Sequence, residues 1–150
     1  MKLSKFSEEN LIVFDLKAAS KESIIEELVD LINVSNMVLD KDMLLKDIKD
    51  REELVTTGIG YGVAFPHAKT KSVKGIVIAF GRSNEGIDFE AIDHKPVNLF
   101  FIIAAPEDAI GAHLNVMSRL SYLMKSEENR QILMTVTSPG EVLELIDQVK

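Results

Sequence analysis

At 150 residues the chain has single-domain length, enough to bury roughly 68–70% of its unfolded surface. Its 46% hydrophobic and 27% charged residues are those of an ordinary soluble globular domain, and no apolar run reaches the ~20 residues of a bilayer span, so no direct membrane insertion is expected. With no cysteine and a formal charge of −7, disulfides, thiolate zinc sites and a cysteine nucleophile are excluded and nucleic acid is disfavoured as a partner.

The acidic surface suits a basic protein partner, or simply keeps the domain soluble. Met1 to Phe6 is followed by Glu8 and Glu9 rather than by a long apolar core. A secretory signal is therefore not expected, and the expected location is cytoplasmic.

Leu11–Leu16 is mostly apolar and β-branched or aromatic, which predicts a strand. Ser20 is a suitable N-cap for a helix carrying Ile24, Ile25, Leu28, Leu31 and Ile32 at helical spacing. Asp40 caps a second predicted helix, from about Lys41 to Glu53, whose inner stripe is Leu44, Ile48 and Arg51. An arginine there either snorkels to water or to a carboxylate such as Asp47, or turns its head to an anion site.

Three glycines follow, at 58, 60 and 62, then a short strand Val63–Phe65 and Pro66-His67. Gly75–Phe80 and Val97–Ala104 are apolar on both faces, as central strands are. Between them, Gly81–Gly86 reads as a turn and Ile87–Phe89 as a short edge strand. Glu107 and Asp108 suit the first turn of a helix with Ile110, Leu114, Met117, Ser121 and Met124 on its inner face. Two more helices are predicted, Glu127–Thr135 and one from Pro139 with Val142, Leu145, Ile146 and Val149 inward. This order predicts one α/β domain: a mixed sheet flanked by helices on both sides.

The chemistry concentrates before His67. Pro66 stiffens the backbone entering it, and Gly58, Gly60 and Gly62 permit positive φ and close approach. Such loops point amide N–H groups at an anion, and Thr56 and Thr57 would add hydroxyls. Phosphate suits an imidazole nucleophile with amide, hydroxyl and guanidinium donors. The Gly-x-Gly-x-Gly spacing lacks the wider second gap and following helix of a dinucleotide site, and no Gly-Lys-Ser/Thr or Gly-x-Ser-x-Gly occurs. No cofactor or metal is expected, because the carboxylates are unpatterned around two histidines. His94 reads as an exposed turn residue. His113, flanking the inner face of its helix, reads from spacing alone as a core histidine.

Arg51-Glu52 with Thr57-Gly-Ile-Gly-Tyr-Gly-Val-Ala-Phe-Pro-His-Ala68 resembles the signature of the enzyme IIA domains of the bacterial phosphotransferase system, in the fructose–mannitol–nitrogen class. The resemblance continues through Gly86-Ile-Asp-Phe89, Pro96-Val97, Ala105-Pro106, His113-Leu114 and Ser118-Arg119-Leu120. It implies a phosphocarrier: His67 takes a phosphoryl group from the histidine phosphocarrier protein HPr and passes it to an enzyme IIB cysteine on another chain. It implies that His113 stabilises the phosphoryl group and that Arg51 offsets its charge. Uptake of a sugar or sugar alcohol is the leading use. The alternative is a nitrogen-related regulator whose phosphorylation state controls binding to a regulatory target protein. An apolar rim of Ile59, Tyr61 and Phe65 would suit docking, although Phe65 equally suits the core. The family pattern departs at His94, where a small or acidic residue is usual, and at Phe65, where an aliphatic one is.

Overall fold

The computed structural model describes residues 2–148. Two 3-10 turns, Leu3–Phe6 and Glu9–Leu11, lead into strand β1 (Ile12–Val13). Helices α1 (Lys21–Ile32) and α2 (Lys41–Leu54) follow, then three short strands, β2 (Gly58–Gly60), β3 (Val63–Ala64) and β4 (His67–Lys69). Two long strands, β5 (Val77–Ile87) and β6 (Val97–Ala105), precede α3 (Ile110–Lys125), α4 (Glu127–Thr135) and α5 (Pro139–Ile146).

Local chemistry sets the helix starts. Ser20 accepts from the Ser23 amide at 3.2 Å while the Ser23 hydroxyl takes the Ser20 amide, a reciprocal cap on α1. Asp40 accepts from the Met43 amide at 3.0 Å at the start of α2. Ser126 caps α4 in the same way through Asn129, and Pro139 occupies the first turn of α5.

The sheet runs β1-β5-β6-β3-β2, with β4 on β6 beyond β3. The two long strands pair antiparallel, and β3 and β4 lie parallel to β6 on its other edge. Alternation along β6 divides the core. Phe100, Ile102 and Ala104 pack with α1 and α2 residues such as Leu28, Leu44 and Ile48. Leu99, Phe101 and Ile103 pack with Val116, Leu120, Leu133 and Val142 of the three C-terminal helices. Both faces are covered, as the apolar strands predict.

Several boundaries differ from the sequence expectation. The strand expected over Leu11–Leu16 is only Ile12–Val13, since Leu11 closes a 3-10 turn. Gly81–Gly86 is not a turn and Ile87–Phe89 not a separate strand: β5 runs through the first and ends at Ile87, with a register shift between Arg82 and Ile87. Tertiary contacts hold this polar stretch extended. Arg82 Nη1 donates to the carbonyls of Leu133 and Val136, and a Cβ on Gly81 would lie 2.7 Å from Leu16. Glu107 and Asp108 precede α3 rather than forming its first turn. The expected inward Val149 lies outside the described residues.

Helix α3 is also turned from its expected orientation. Its buried residues are His113, Val116, Leu120, Leu123 and Met124, whereas Ile110 and Leu114 are 53% and 62% exposed. Two substitutions separate these phases. Leu120→Ala is expected to cost about 2–5 kcal/mol in denaturant unfolding, and Leu114→Ala no more than about 0.5 kcal/mol. The reverse order would restore the orientation expected from periodicity.

Candidate functional site

The glycine stretch forms a tight hairpin between β2 and β3. Gly60, Tyr61 and Gly62 have φ of +96°, +60° and +76°, a left-handed run that glycine tolerates. Gly58 is needed for space, because a Cβ there would meet the Ala91 Cβ at 2.8 Å. Several donors of this stretch are engaged locally. The Thr57 amide and hydroxyl both donate to Glu52, at 2.9 and 2.5 Å; the Gly58 amide donates to Thr56 Oγ1 and the Tyr61 amide to Asp93 Oδ2. Thr56, Thr57, Gly58, Gly60 and Gly62 are absent from the lining of the cavity at His67.

His67 opens β4, directly after Pro66. Its Nδ1 lies 2.8 Å from the Phe65 carbonyl oxygen. A carbonyl only accepts, so Nδ1 carries the proton, and in a neutral imidazole Nε2 is then a bare lone pair. Burial pushes His67 below the ordinary histidine value, with Arg51 and Lys69 adding to the effect against the opposing carbonyl bond and Glu52. At neutral pH the ring is uncharged.

His113, from the second turn of α3, brings its ring centroid to 5.4 Å from that of His67, tilted 44°. It is 5% exposed, and its Nδ1 is buried with no hydrogen-bond partner among the described residues. Burial, then the neighbouring His67 and Lys69, lower its pKa to about 4. A buried ring nitrogen without a partner costs stability unless something arrives to bond it.

Both histidines line one cavity of about 680 Å³ with Arg51, Lys69, Leu54 and Leu114. Arg51 neither pairs with Asp47 nor sits in the core: its Nη1 donates to the Val55 carbonyl at 2.9 Å, in the last turn of α2 where a cation suits the helix dipole. The inner stripe of α2 is completed instead by Glu52. Lys69 escaped the sequence reading because β4 was not expected there. Two residues apart on a strand, it shares a face with His67. It is exposed and has no ion pair among the described residues.

The apolar rim differs from the expected Ile59, Tyr61 and Phe65. Phe65 is a core residue stacked on Phe101, and Tyr61 lies under the Arg130 guanidinium, 4.6 Å from its ring centre. Leu54 and Leu114 border the cavity instead, with Ile110 exposed one turn before Leu114. His94 is the exposed turn residue expected, with φ of +60°. A larger cleft, about 840 Å³ along α3 and α4, contains neither histidine.

The sequence profile described as "Phosphoenolpyruvate-dependent sugar phosphotransferase system, EIIA 2" matches residues 5–149. The chain belongs to this EIIA family. It is 40% identical over 139 residues to the fructose-specific EIIA component of Haloferax volcanii, covering 93% of this chain and 90% of that one. It is 38% identical over 148 residues to the fructose-specific EIIABC component of Bacillus subtilis, covering 99% of this chain but only 23% of that protein. Among solved structures, the nitrogen regulatory protein IIA-Ntr of Neisseria meningitidis superposes with a TM-score of 0.89 at 36% identity, covering 96% of this chain and 98% of that one. The complex of Escherichia coli enzyme IIA mannitol with phosphorylated enzyme IIB mannitol contains a chain matching with a TM-score of 0.78 at 28% identity, covering 92% and 94%. As the family implies, this EIIA chain has a phosphotransferase function. Among the described residues no helix is long and apolar enough to cross a membrane.

The neutral histidine pair in this EIIA fold makes a signed prediction. His113 titrates near 4 when folded and near 6.5 when unfolded. Below pH 6.5 the unfolded chain therefore takes up the proton first. Stability falls as pH drops from 6.5 to 4, by on the order of 3 kcal/mol from this residue. Urea unfolding across that range should show a shallower slope for His113→Gln than for the parent; equal slopes would contradict the burial assigned to His113.

Proposed function

We propose that this chain is a phosphocarrier that takes a phosphoryl group on His67 from phosphorylated HPr and passes it to an enzyme IIB cysteine on another chain, for sugar or sugar-alcohol uptake. The observation that carries this reading is the Nδ1–H bond to the Phe65 carbonyl, which leaves Nε2 as the free nucleophile in a cavity shared with Arg51 and His113. The Nε2 lone pair attacks the donor's phosphorus as the donor's N–P bond breaks. That bond's electron pair returns to the donor imidazole. In the onward step the IIB thiolate forms an S–P bond while the His67 N–P bond breaks, and the pair returns to Nε2.

Little covalent work falls to the protein in such a transfer; positioning and charge compensation dominate. Arg51 and Lys69 supply positive charge beside the acceptor nitrogen. The His113 ring supplies Nδ1, which has no hydrogen-bond partner among the described residues. The loop residues Thr56, Thr57, Gly58, Gly60 and Gly62 serve the site by holding its wall rather than by binding the group. Exposed Leu54, Ile110 and Leu114 give both protein partners an apolar landing surface.

A second reading is supported by the close superposition on IIA-Ntr: a regulator whose phosphorylation state governs binding to a target protein. It uses the same His67. Transfer from the phosphorylated chain to one member of a panel of isolated IIB domains supports transport. Transfer to none, with phosphorylation-dependent capture of a regulatory target, supports regulation.

Incubation with phosphorylated HPr tests the site itself. His67→Ala should accept no label while keeping its circular dichroism spectrum; full labelling of that variant would remove His67 from the assignment. His113→Ala should still be labelled, but on the order of 10²-fold more slowly. A parent-like rate would leave His113 without a part in the transfer.

A further inference from the structure

Glu52 lies one residue from Arg51 but turns away from the cavity, and its placement is costly. It is 6% exposed and sits in the last turn of α2, where the helix carbonyls disfavour a negative charge. Its counter-ion is equally out of place. Lys21 Nζ, 3.0 Å away, belongs to the first residue of α1, where the helix dipole disfavours a cation. The Lys21 ammonium also lies over the Phe89 ring, 4.7 Å from its centre, and stays partly exposed.

What the pair holds is Thr57. Both the amide and the hydroxyl of Thr57 donate to the two Glu52 oxygens, so that residue is clamped at both its backbone and its side chain. The Thr57 carbonyl in turn accepts the Phe65 amide at 3.0 Å. The Phe65 carbonyl is the acceptor that sets the His67 tautomer. The peptide unit carrying that carbonyl ends in Pro66, which has no N–H with which to anchor it. Its orientation therefore depends on its neighbours. On one side the Pro66 carbonyl accepts from Ile103 in the buried β6; on the other, where the chain leaves the pairing of Ala64 with Gly58 and Phe100, the Phe65 amide donates to Thr57.

We propose that Glu52 is a positioning residue for His67: by clamping Thr57 it fixes the Phe65 carbonyl, and so keeps the His67 proton on Nδ1 and the Nε2 lone pair free. The consequence for transfer rests on the phosphocarrier reading, whereas the consequence for the tautomer does not. Glu52 touches neither the cavity nor any reacting atom.

Long-range proton–nitrogen spectra of the imidazoles in uniformly ¹⁵N-labelled protein test this directly. The parent should show His67 wholly as the Nδ1–H form. Glu52→Gln keeps the shape but loses the charge and one acceptor, and Thr57→Val keeps only the amide donor. Each should show a mixture of Nδ1–H and Nε2–H forms in an otherwise dispersed, folded spectrum, while Thr57→Ser restores the parent pattern. Labelling by phosphorylated HPr should drop about tenfold in the two disrupting variants, the scale of one hydrogen bond, and recover in Thr57→Ser. If Glu52→Gln fails to fold, Thr57→Val against Thr57→Ser decides the matter alone. A His67 that stays wholly Nδ1–H in the folded disrupting variants overturns the proposal. Absence of labelling in the parent contradicts the phosphocarrier reading instead, and leaves the tautomer comparison standing.

Discussion

The site depends on one hydrogen bond, from His67 Nδ1 to the carbonyl two residues before it. A neutral imidazole has one proton and two nitrogens, so committing the proton decides which nitrogen reacts. Without that commitment, half-burial beside Arg51 and Lys69 would still keep the ring neutral. It would not determine which face of the ring carries the lone pair. The proline supports the arrangement by removing a competing donor and stiffening the approach. The pairing of β4 with β6, His67 opposite Ile103, attaches the residue to the most buried strand of the sheet.

Around this bond the fold brings together groups that are far apart in sequence. Arg51 comes from the end of α2, Lys69 from the strand that carries His67, and His113 from α3, behind β6. The two core layers hold these elements from opposite faces of the sheet. One layer packs α2 and the other packs α3, so the cavity lies where the two covers meet the sheet edge. The neutrality of both rings follows from burial and from cationic neighbours. A phosphoryl dianion on Nε2 would reverse that field and favour a proton on His113.

Much of this was legible in the sequence, and the places where it was not share a physical cause. Ser20, Asp40 and the repeated apolar positions of α1 marked helices accurately because caps and period are local. The apolar run of β6 marked a strand buried on both faces for the same reason. Reading β5 as interrupted failed because long-range contacts, Arg82 to the end of α4 and Gly81 against Leu16, hold its polar half extended. The orientation of α3 was misjudged at its first two turns, where the usual rule is inverted. Ile110 and Leu114 face outward at the rim, and His113 is turned in. On α2 the inward polar residue is Glu52, next to the expected Arg51. In both helices the pattern fails next to the cavity, where Leu54, Ile110 and Leu114 are exposed while Glu52 and His113 are buried.

The same contrast explains the glycine loop. Its residue types suggested a cradle for an anion, and a single sequence cannot distinguish an amide aimed at a ligand from one aimed at Glu52 or Asp93. The loop instead bonds to Phe65 through the Thr57 carbonyl, and Phe65 in turn bonds to the His67 ring. The most direct test of that account is the site of attachment in the phosphorylated protein, read from ³¹P–¹⁵N couplings. The account predicts a phosphoryl group on Nε2 of His67 with the proton retained on Nδ1. A phosphoryl group on Nδ1 of His67, or on His113, would contradict it.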